Sequence, residues 1–322
     1  MSDRATITLG DTPHDIAQAA AILRAGGLVA FPTETVYGLG ANARDAAAVR
    51  GIFAAKGRPA HNPLIVHVGD IDLARSVAVF DARAETLARA FWPGPLTLVL
   101  TLRNEAGIAP EVTAGQPSVA LRMPAHPVAR ALLSASGMPL AAPSANPSGQ
   151  VSPTTASHVR DGLSGRVDAI VDGGACPVGL ESTIVGLLDG PVLLRPGGLP
   201  AEEIEACLGE ALERTGASPK QPVAPGQLAS HYAPKASVRL NARRARTGEV
   251  LLGFGPVEGA ALNLSPSGDL AEAATNLFSH LRHLDDRGAQ AIAISPIPDH
   301  GLGLAINDRL RRAAAPRGSG AA

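Results

Sequence analysis

The chain has 322 residues, a formal net charge of −1, 45% hydrophobic residues and 18% charged ones. That balance describes an ordinary globular protein of about two domains, and it argues against a general electrostatic hold on nucleic acid. Cys176 and Cys207 are the only cysteines and have no CxxC spacing, so neither a disulfide framework nor a zinc site is implied.

In chain order, Thr12-Pro13 reads as an N-cap and first turn, with a helix to Arg24 that Gly26-Gly27 stop. "LVAF" (28–31) reads as a buried strand. Asp45 can cap a second helix that delivers Lys56 near its end. "LIVHV" (64–68) is β-rich. Helices around 70–77 and 83–91 follow, then strands "LTLVLTL" (96–102) and "SVALRM" (118–123). A helix over 126–136, a strand at 139–142 and a helix after Ser152-Pro153 come next. Strands near 167–172, 182–188 and 192–195 precede a helix after Pro200. From about Gly209 to Pro234 the chain is rich in Pro, Ala, Ser and Gly and loses all periodicity, which predicts a linker. "EVLLGF" (249–254), a helix over 269–286, "AIAISP" (291–296) and a helix over 302–314 predict a second, smaller α/β unit. The expected division is therefore 1–208, a linker or lid at 209–235, a small domain at 236–316 and a tail at 317–322. The N-terminus has no apolar signal core and no run is long enough to span a bilayer, so a cytoplasmic protein is expected.

The chemistry-bearing stretches are few. "GLGANA" (38–43) matches a dinucleotide glycine loop in form. Six residues separate it from its strand, however, and no carboxylate occurs at 58–62, so the fingerprint fails. A tight turn with positive φ explains Gly38 and Gly40 as well as ligand contact does. No phosphate-binding P-loop pattern occurs. "KGRPAHNPL" (56–64) places Lys56 and Arg58 two apart at a helix end, a pairing suited to phosphate oxygens. Taken alone, two solvated cations favoured by the helix dipole explain them better. "APSANPSGQVSPT" (142–154) crowds Ser144, Asn146, Ser148 and Ser152 into a Pro/Gly-framed turn. These residues can cradle an anion or cap backbone groups, and Ser152 before Pro153 reads as a helix cap. Arg122 and Arg195 end strands. Ser182 and Thr183 follow Glu181 at a strand start, and Tyr232 lies in the linker within "HYAP".

Taken in order, "FPTETVYGLGANA", "KGRPAHNPLIVHV", "SVALRMPAHP", "APSANPSGQVSPT", "ESTIVGL" and "LLRPGG" closely resemble the YrdC-like family. "HYAP" and the small C-terminal unit resemble its longer, two-domain branch. The resemblance implies a twisted mixed sheet with flanking helices, plus a smaller Rossmann-like α/β domain joined by a linker. It implies synthesis of L-threonylcarbamoyladenylate from L-threonine, bicarbonate and ATP with release of pyrophosphate. Mg²⁺ would be carried with ATP, and the product would pass to a tRNA threonylcarbamoyl transferase complex. Carried over by position, Lys56 and Arg58 would be catalytic and grip phosphates. Asn62, Ser118, Ser144, Asn146, Ser152, Arg195 and Tyr232 would contact ATP. Thr35, His67, Arg122 and Ser182 would line the threonine site, with Tyr37 shaping the wall beside Thr35. Tyr232, and with it His231, would act as a lid. No protein metal ligands are implied. The alternatives are a tRNA-binding module without turnover, which the neutral charge disfavours, and a hydrogenase-maturation carbamoyltransferase, for which the chain lacks length and cysteines. A dehydrogenase is the remaining one.

Overall fold

The computed structural model describes residues 5–214 and 232–316. His231 and most of the segment read as a linker lie outside them. Strands β1 (Ile7–Leu9), β2 (Val29–Phe31), β3 (Gly38–Asn42), β4 (Ile65–His67), β5 (Leu96–Thr101), β6 (Ser118–Arg122), β7 (Leu140–Ala141), β8 (Ala169–Val171), β9 (Thr183–Gly186), β10 (Val192–Arg195) and β11 (Glu213–Arg214) form one mixed sheet. Its order is β1-β8-β2-β3-β7-β4-β6-β5-β9-β10-β11. Helices α1 (Pro13–Arg24), α2 (Ala46–Lys56), α3 (Ile71–Val77), α4 (Ala82–Phe91), α5 (Pro110–Thr113), α6 (Pro127–Ser136), α7 (Ala156–Leu163) and α8 (Ala201–Leu208) flank it. A second sheet of four parallel strands follows. It contains β12 (Ser237–Arg239), β13 (Val250–Gly253), β14 (Leu262–Asn263) and β15 (Ala291–Ile294), in the order β12-β15-β13-β14. Its helices are α9 (Leu270–Asp286) and α10 (Leu302–Ala314).

Local signals explain most boundaries. The Thr12 hydroxyl accepts from the Asp15 amide at the start of α1. Asp45 accepts from the amides of Ala47 and Ala48 at the start of α2, and Gly57 ends that helix in the left-handed region at φ 60°. α2 therefore ends at Lys56, two residues before Arg58, whose side chain is buried rather than turned to solvent.

Some elements differ from the sequence reading. Gly38–Asn42 is a strand, antiparallel to β2, and not a turn. A Cβ on Gly40 would stand 2.8 Å from the Phe31 ring, so glycine is required there by close approach across the pair and not by positive φ. Thr155, not Ser152, caps α7 by accepting from the His158 amide. β11 lies within the stretch read as linker and carries the first sheet past Leu208.

The main core packs α2, α3 and α4 against the sheet, with Tyr37, Leu39, Ile52, Leu64, Leu96, Leu98 and Leu121 at its centre. The core of the smaller unit gathers Leu277, Phe278, Leu281, Ile292 and Ile306, and also takes in Val36, Val151, Leu180 and Tyr232. The two units thus share apolar surface, and Val36 in that shared surface adjoins Thr35. Among the described residues no helix is long and apolar enough to cross a membrane.

Candidate active site

A cavity of about 50 Å³ opens where Tyr232 faces the strand ends of the larger sheet. It is lined by strand ends and the loops that leave them. β4 and β6 run parallel with His67 beside Arg122, and β5 runs antiparallel to β6 with Thr97 beside Arg122. That register places a basic group at the rim of two adjacent strands. Arg122 donates from Nη1 to the Thr35 hydroxyl at 2.9 Å and from Nε to the Gly94 carbonyl at 3.3 Å. Its Nη2 pairs with Glu34 at 2.7 Å. Burial raises the Glu34 carboxyl, but the Arg122 guanidinium outweighs it and holds Glu34 below the usual carboxylate range. Both are buried, so the pair fixes the planar fork in one orientation.

Two further guanidinium groups face the same space. Arg58 donates from Nε to the Asn62 carbonyl at 3.3 Å and from Nη2 to the Pro63 carbonyl at 2.9 Å. Burial lowers its pKa to about 10, and Arg195 adds to the effect. Arg195, at the end of β10, donates to the Ser182 carbonyl at 2.8 Å and to the Ser182 hydroxyl at 3.2 Å. Thr97 and Ser182 share a hydrogen bond at 2.7 Å between their hydroxyls. His67 is buried, and burial with the neighbouring Arg122 charge lowers its pKa to about 3, so it is neutral at physiological pH. The carboxylate on the wall, Glu181, is in a 2.8 Å ion pair with Arg309. The cavity therefore presents an excess of positive charge to an anion.

The lining contains eight of the residues named from sequence: Thr35, Arg58, His67, Arg122, Ser144, Ser182, Arg195 and Tyr232. The other five do not reach it directly. The Lys56 ammonium donates to the carbonyls of Ser144 and Asn146 and so staples the "SAN" loop from behind. Burial, then the Arg58 charge, drives its pKa well down. Asn146 donates from Nδ2 to the carbonyls of Pro147 and Gln150, at 2.8 and 2.9 Å, holding the same turn closed. The Asn62 side-chain amide is fully buried and has no hydrogen-bond partner among the described residues, while its backbone carbonyl serves Arg58. Ser152 donates to the Glu181 carboxylate. Ser118 opens β6, about 13 Å along the strand from Arg122, and pairs with Thr101. Tyr37 is also displaced from its expected role. It is fully buried, and its hydroxyl donates to the Gly174 carbonyl at 2.7 Å, so it braces a loop and is no part of the wall. Sequence reasoning missed Thr33, Glu34, Thr97, Glu181 and Arg309. "PTET" and "LES" carry three of these, Thr33, Glu34 and Glu181, beside chosen residues, but only the fold reveals which carboxylate meets which guanidinium.

Among the described residues no nucleophile paired with a base lines the cavity. Three arginines, neutral imidazole and small hydroxyls suit charge neutralisation and positioning, so fold and site together define an α/β enzyme of the anion-activating kind. Comparison with known proteins places it further. A family profile described as "Telomere recombination" (Sua5/YciO/YrdC) matches residues 21–197. One described as "Threonylcarbamoyl-AMP synthase, C-terminal domain" matches residues 199–315. The chain is 44% identical to the threonylcarbamoyl-AMP synthase of Bacillus subtilis, over 97% of this chain and 96% of that protein. It is 46% identical to that of Pyrococcus abyssi, over 93% and 94%. The crystal structure of P. abyssi Sua5 complexed with L-threonine superposes with a TM-score of 0.88 at 42% identity, covering 96% of this chain and 97% of that one. The chain belongs to the Sua5/YciO/YrdC family, in its two-domain form.

Proposed function

We propose that the chain makes L-threonylcarbamoyladenylate from L-threonine, bicarbonate and ATP; its full-length relatives carry the name threonylcarbamoyl-AMP synthase. The observation that carries the reading is the convergence of Arg58, Arg122 and Arg195 on one cavity with Thr35, His67 and Ser182. The chemistry asks for little else. The threonine amine attacks the bicarbonate carbon, a C–N bond forms and water leaves, giving a carbamate. A carbamate oxygen then attacks the α-phosphorus, and the bond from that phosphorus to the bridging oxygen of pyrophosphate breaks. The nucleophile is already an anion, so the protein must hold it, neutralise the phosphates and exclude water.

In this reading Arg122, oriented by Glu34, takes the threonine carboxylate, a bidentate task that lysine performs poorly. Thr35 and Ser182 receive the amino acid's polar groups, and neutral His67 adds no competing charge. Arg58 and Arg195 take phosphate oxygens. Ser144 presents the turn that Lys56 and Asn146 brace, and Asn62 holds Arg58 through its carbonyl. Ser118 belongs to the nucleotide side only by its place in the family's motif. Ser152 acts through Glu181, and Tyr232 covers the mouth. Among the described residues no three His, Cys, Asp or Glu side chains are grouped to hold a metal. Mg²⁺ would be carried by the triphosphate and water, supplying charge neutralisation for the leaving group. A cytoplasmic site of action and delivery of the product to a tRNA threonylcarbamoyl transferase complex complete the proposal. The test is direct: incubate the protein with ATP, L-threonine, bicarbonate and Mg²⁺ and analyse the products by mass spectrometry. The adenylate should appear only with all three substrates. ATP turnover that ignores threonine and bicarbonate would contradict the assignment.

A further inference from the structure

The smaller unit braces the wall of the cavity from behind through Arg309. Arg309 sits in the middle of α10 and is 1% exposed, although it is an arginine. Its Nε meets the Glu181 carboxylate at 2.8 Å, and its Nη1 donates to the Pro196 carbonyl at 2.9 Å and to Asp308 at 2.7 Å. Its guanidinium also lies 5.1 Å from the centre of the Tyr232 ring, which stacks on Phe278 at 5.7 Å. Tyr232 holds a left-handed backbone, φ 61°, which a tyrosine keeps only when packing imposes it. Glu181 and Tyr232 both line the cavity. Pro196 follows Arg195, and Glu181 precedes Ser182. One guanidinium thus touches three of the segments that form the wall.

The docking that brings Arg309 there is built in. Thr275 on α9 donates to the Pro177 carbonyl at 2.8 Å, Arg282 donates to the Val151 carbonyl, and the Gly301 amide donates to Glu202 at 3.1 Å. Gly179, at φ 75°, approaches α9 so closely that a Cβ would fall 2.5 Å from the Thr275 Cα. A residue other than glycine at that point would push α9 away from the larger unit.

Charge explains why an arginine is needed at this spot. A buried carboxylate demands a cation. Glu181 feels two, Arg309 and Arg195, and they hold it ionised against the effect of burial. Arg195 also faces the cavity. We propose that Arg309 is a positioning residue for the catalytic cavity: by neutralising Glu181 and supporting Tyr232, it keeps Glu181 from drawing Arg195 away from Ser182 and the incoming triphosphate. The smaller unit then completes the site electrostatically, across the boundary between the two units. This rests on the proposed synthase reading for what the cavity binds, but not for the charge arrangement itself.

The test is a double-mutant cycle with Arg309→Met and Glu181→Gln. Wild type, both single variants and the double variant are assayed for threonine- and bicarbonate-dependent pyrophosphate release. ATP affinity is measured separately by calorimetry, and melting confirms folding. Arg309→Met should raise the KM and Kd for ATP by at least roughly tenfold, because a buried charge is left without its partner. The threonine KM should move far less. Adding Glu181→Gln should return most of the lost ATP affinity, since the stranded charge is gone. Arg309→Lys should recover part of it. Unchanged ATP affinity in folded Arg309→Met would overturn the proposal. So would a folded double variant no better than the single one, which is the pattern of a plain packing contact. Where Arg309→Met does not fold, the double variant decides alone: ATP affinity near wild type supports the electrostatic role, and a tenfold loss refutes it. If wild type forms no adenylate, the synthase reading fails, while the calorimetric cycle still decides the role of Arg309.

Discussion

Replacing Arg58 by alanine separates the cost of a buried cation from its use. In the folded protein without ligand, Arg58 is buried and its charged form is disfavoured, with a pKa lowered to about 10 from 12.5. Truncation removes that unfavourable charge. It also strips the donors from the Asn62 and Pro63 carbonyls, worth about 1–3 kcal/mol for each acceptor left buried without a partner. The two effects oppose one another, so the net loss of stability should be about 1–2 kcal/mol, a fall in Tm of about 1.5–3 °C for a chain of this size. The catalytic loss should be larger. A preorganised donor aimed at developing negative charge contributes about 2.7–4 kcal/mol, or 10²–10³ in rate. The assay is pyrophosphate release that depends on threonine and bicarbonate, read beside a melting curve. A folded Arg58→Ala protein with kcat/KM within about threefold of wild type would remove Arg58 from the phosphate site.

Arg122→Ala should raise the KM for threonine by about 10²-fold, from a lost bidentate charge-assisted contact of about 3 kcal/mol, with a much smaller effect on the ATP KM; a change confined to ATP would show the cavity divided wrongly. Thr97→Val removes the 2.7 Å bond that orients the Ser182 hydroxyl, so about 1 kcal/mol should appear as a roughly fivefold rise in threonine KM at nearly constant stability, and an unchanged KM would exclude Thr97 as a positioning group. Acid should destabilise the protein from pH 6.5 downward. Burial, with Arg122, holds His67 at about 3, and burial, with Arg282, holds His158 at about 4, against 6.5 for both in the unfolded chain. The unfolded state therefore binds more protons in that window and stability rises with pH. Melting temperatures at pH 4.5 to 7.5 should climb toward neutrality, and a curve that rises on acidification would contradict the assigned burial.

The fold was legible wherever one local rule governed an element. Asp45 as a cap and the apolar run that delivers Lys56 near the helix end predict α2, and the structure keeps them. β3 was not legible, because Gly38-Leu39-Gly40 carries no strand alternation; its glycines answer to the Phe31 ring across the pair. At the site, Arg58, Arg122 and Arg195 stood out as cations ending apolar elements, and all three reach one cavity. Lys56 stood out for the same reason and yet holds two carbonyls behind the wall, since sequence does not say which way a buried ammonium turns. Partners distant in the chain were invisible. Ser182 meets Thr97 across 85 positions and Glu181 meets Arg309 across 128. No local pattern encodes either contact, and the second depends on how one unit docks on the other.

The central claim is that one hollow seats an amino acid and a triphosphate side by side. A crystal structure of this protein with L-threonine and a non-hydrolysable ATP analogue tests it most directly. The account predicts the threonine carboxylate on Arg122, with its polar groups at Thr35 and Ser182, and phosphate oxygens on Arg58 and Arg195. Either ligand bound elsewhere, or phosphates lying on Arg122, would contradict it.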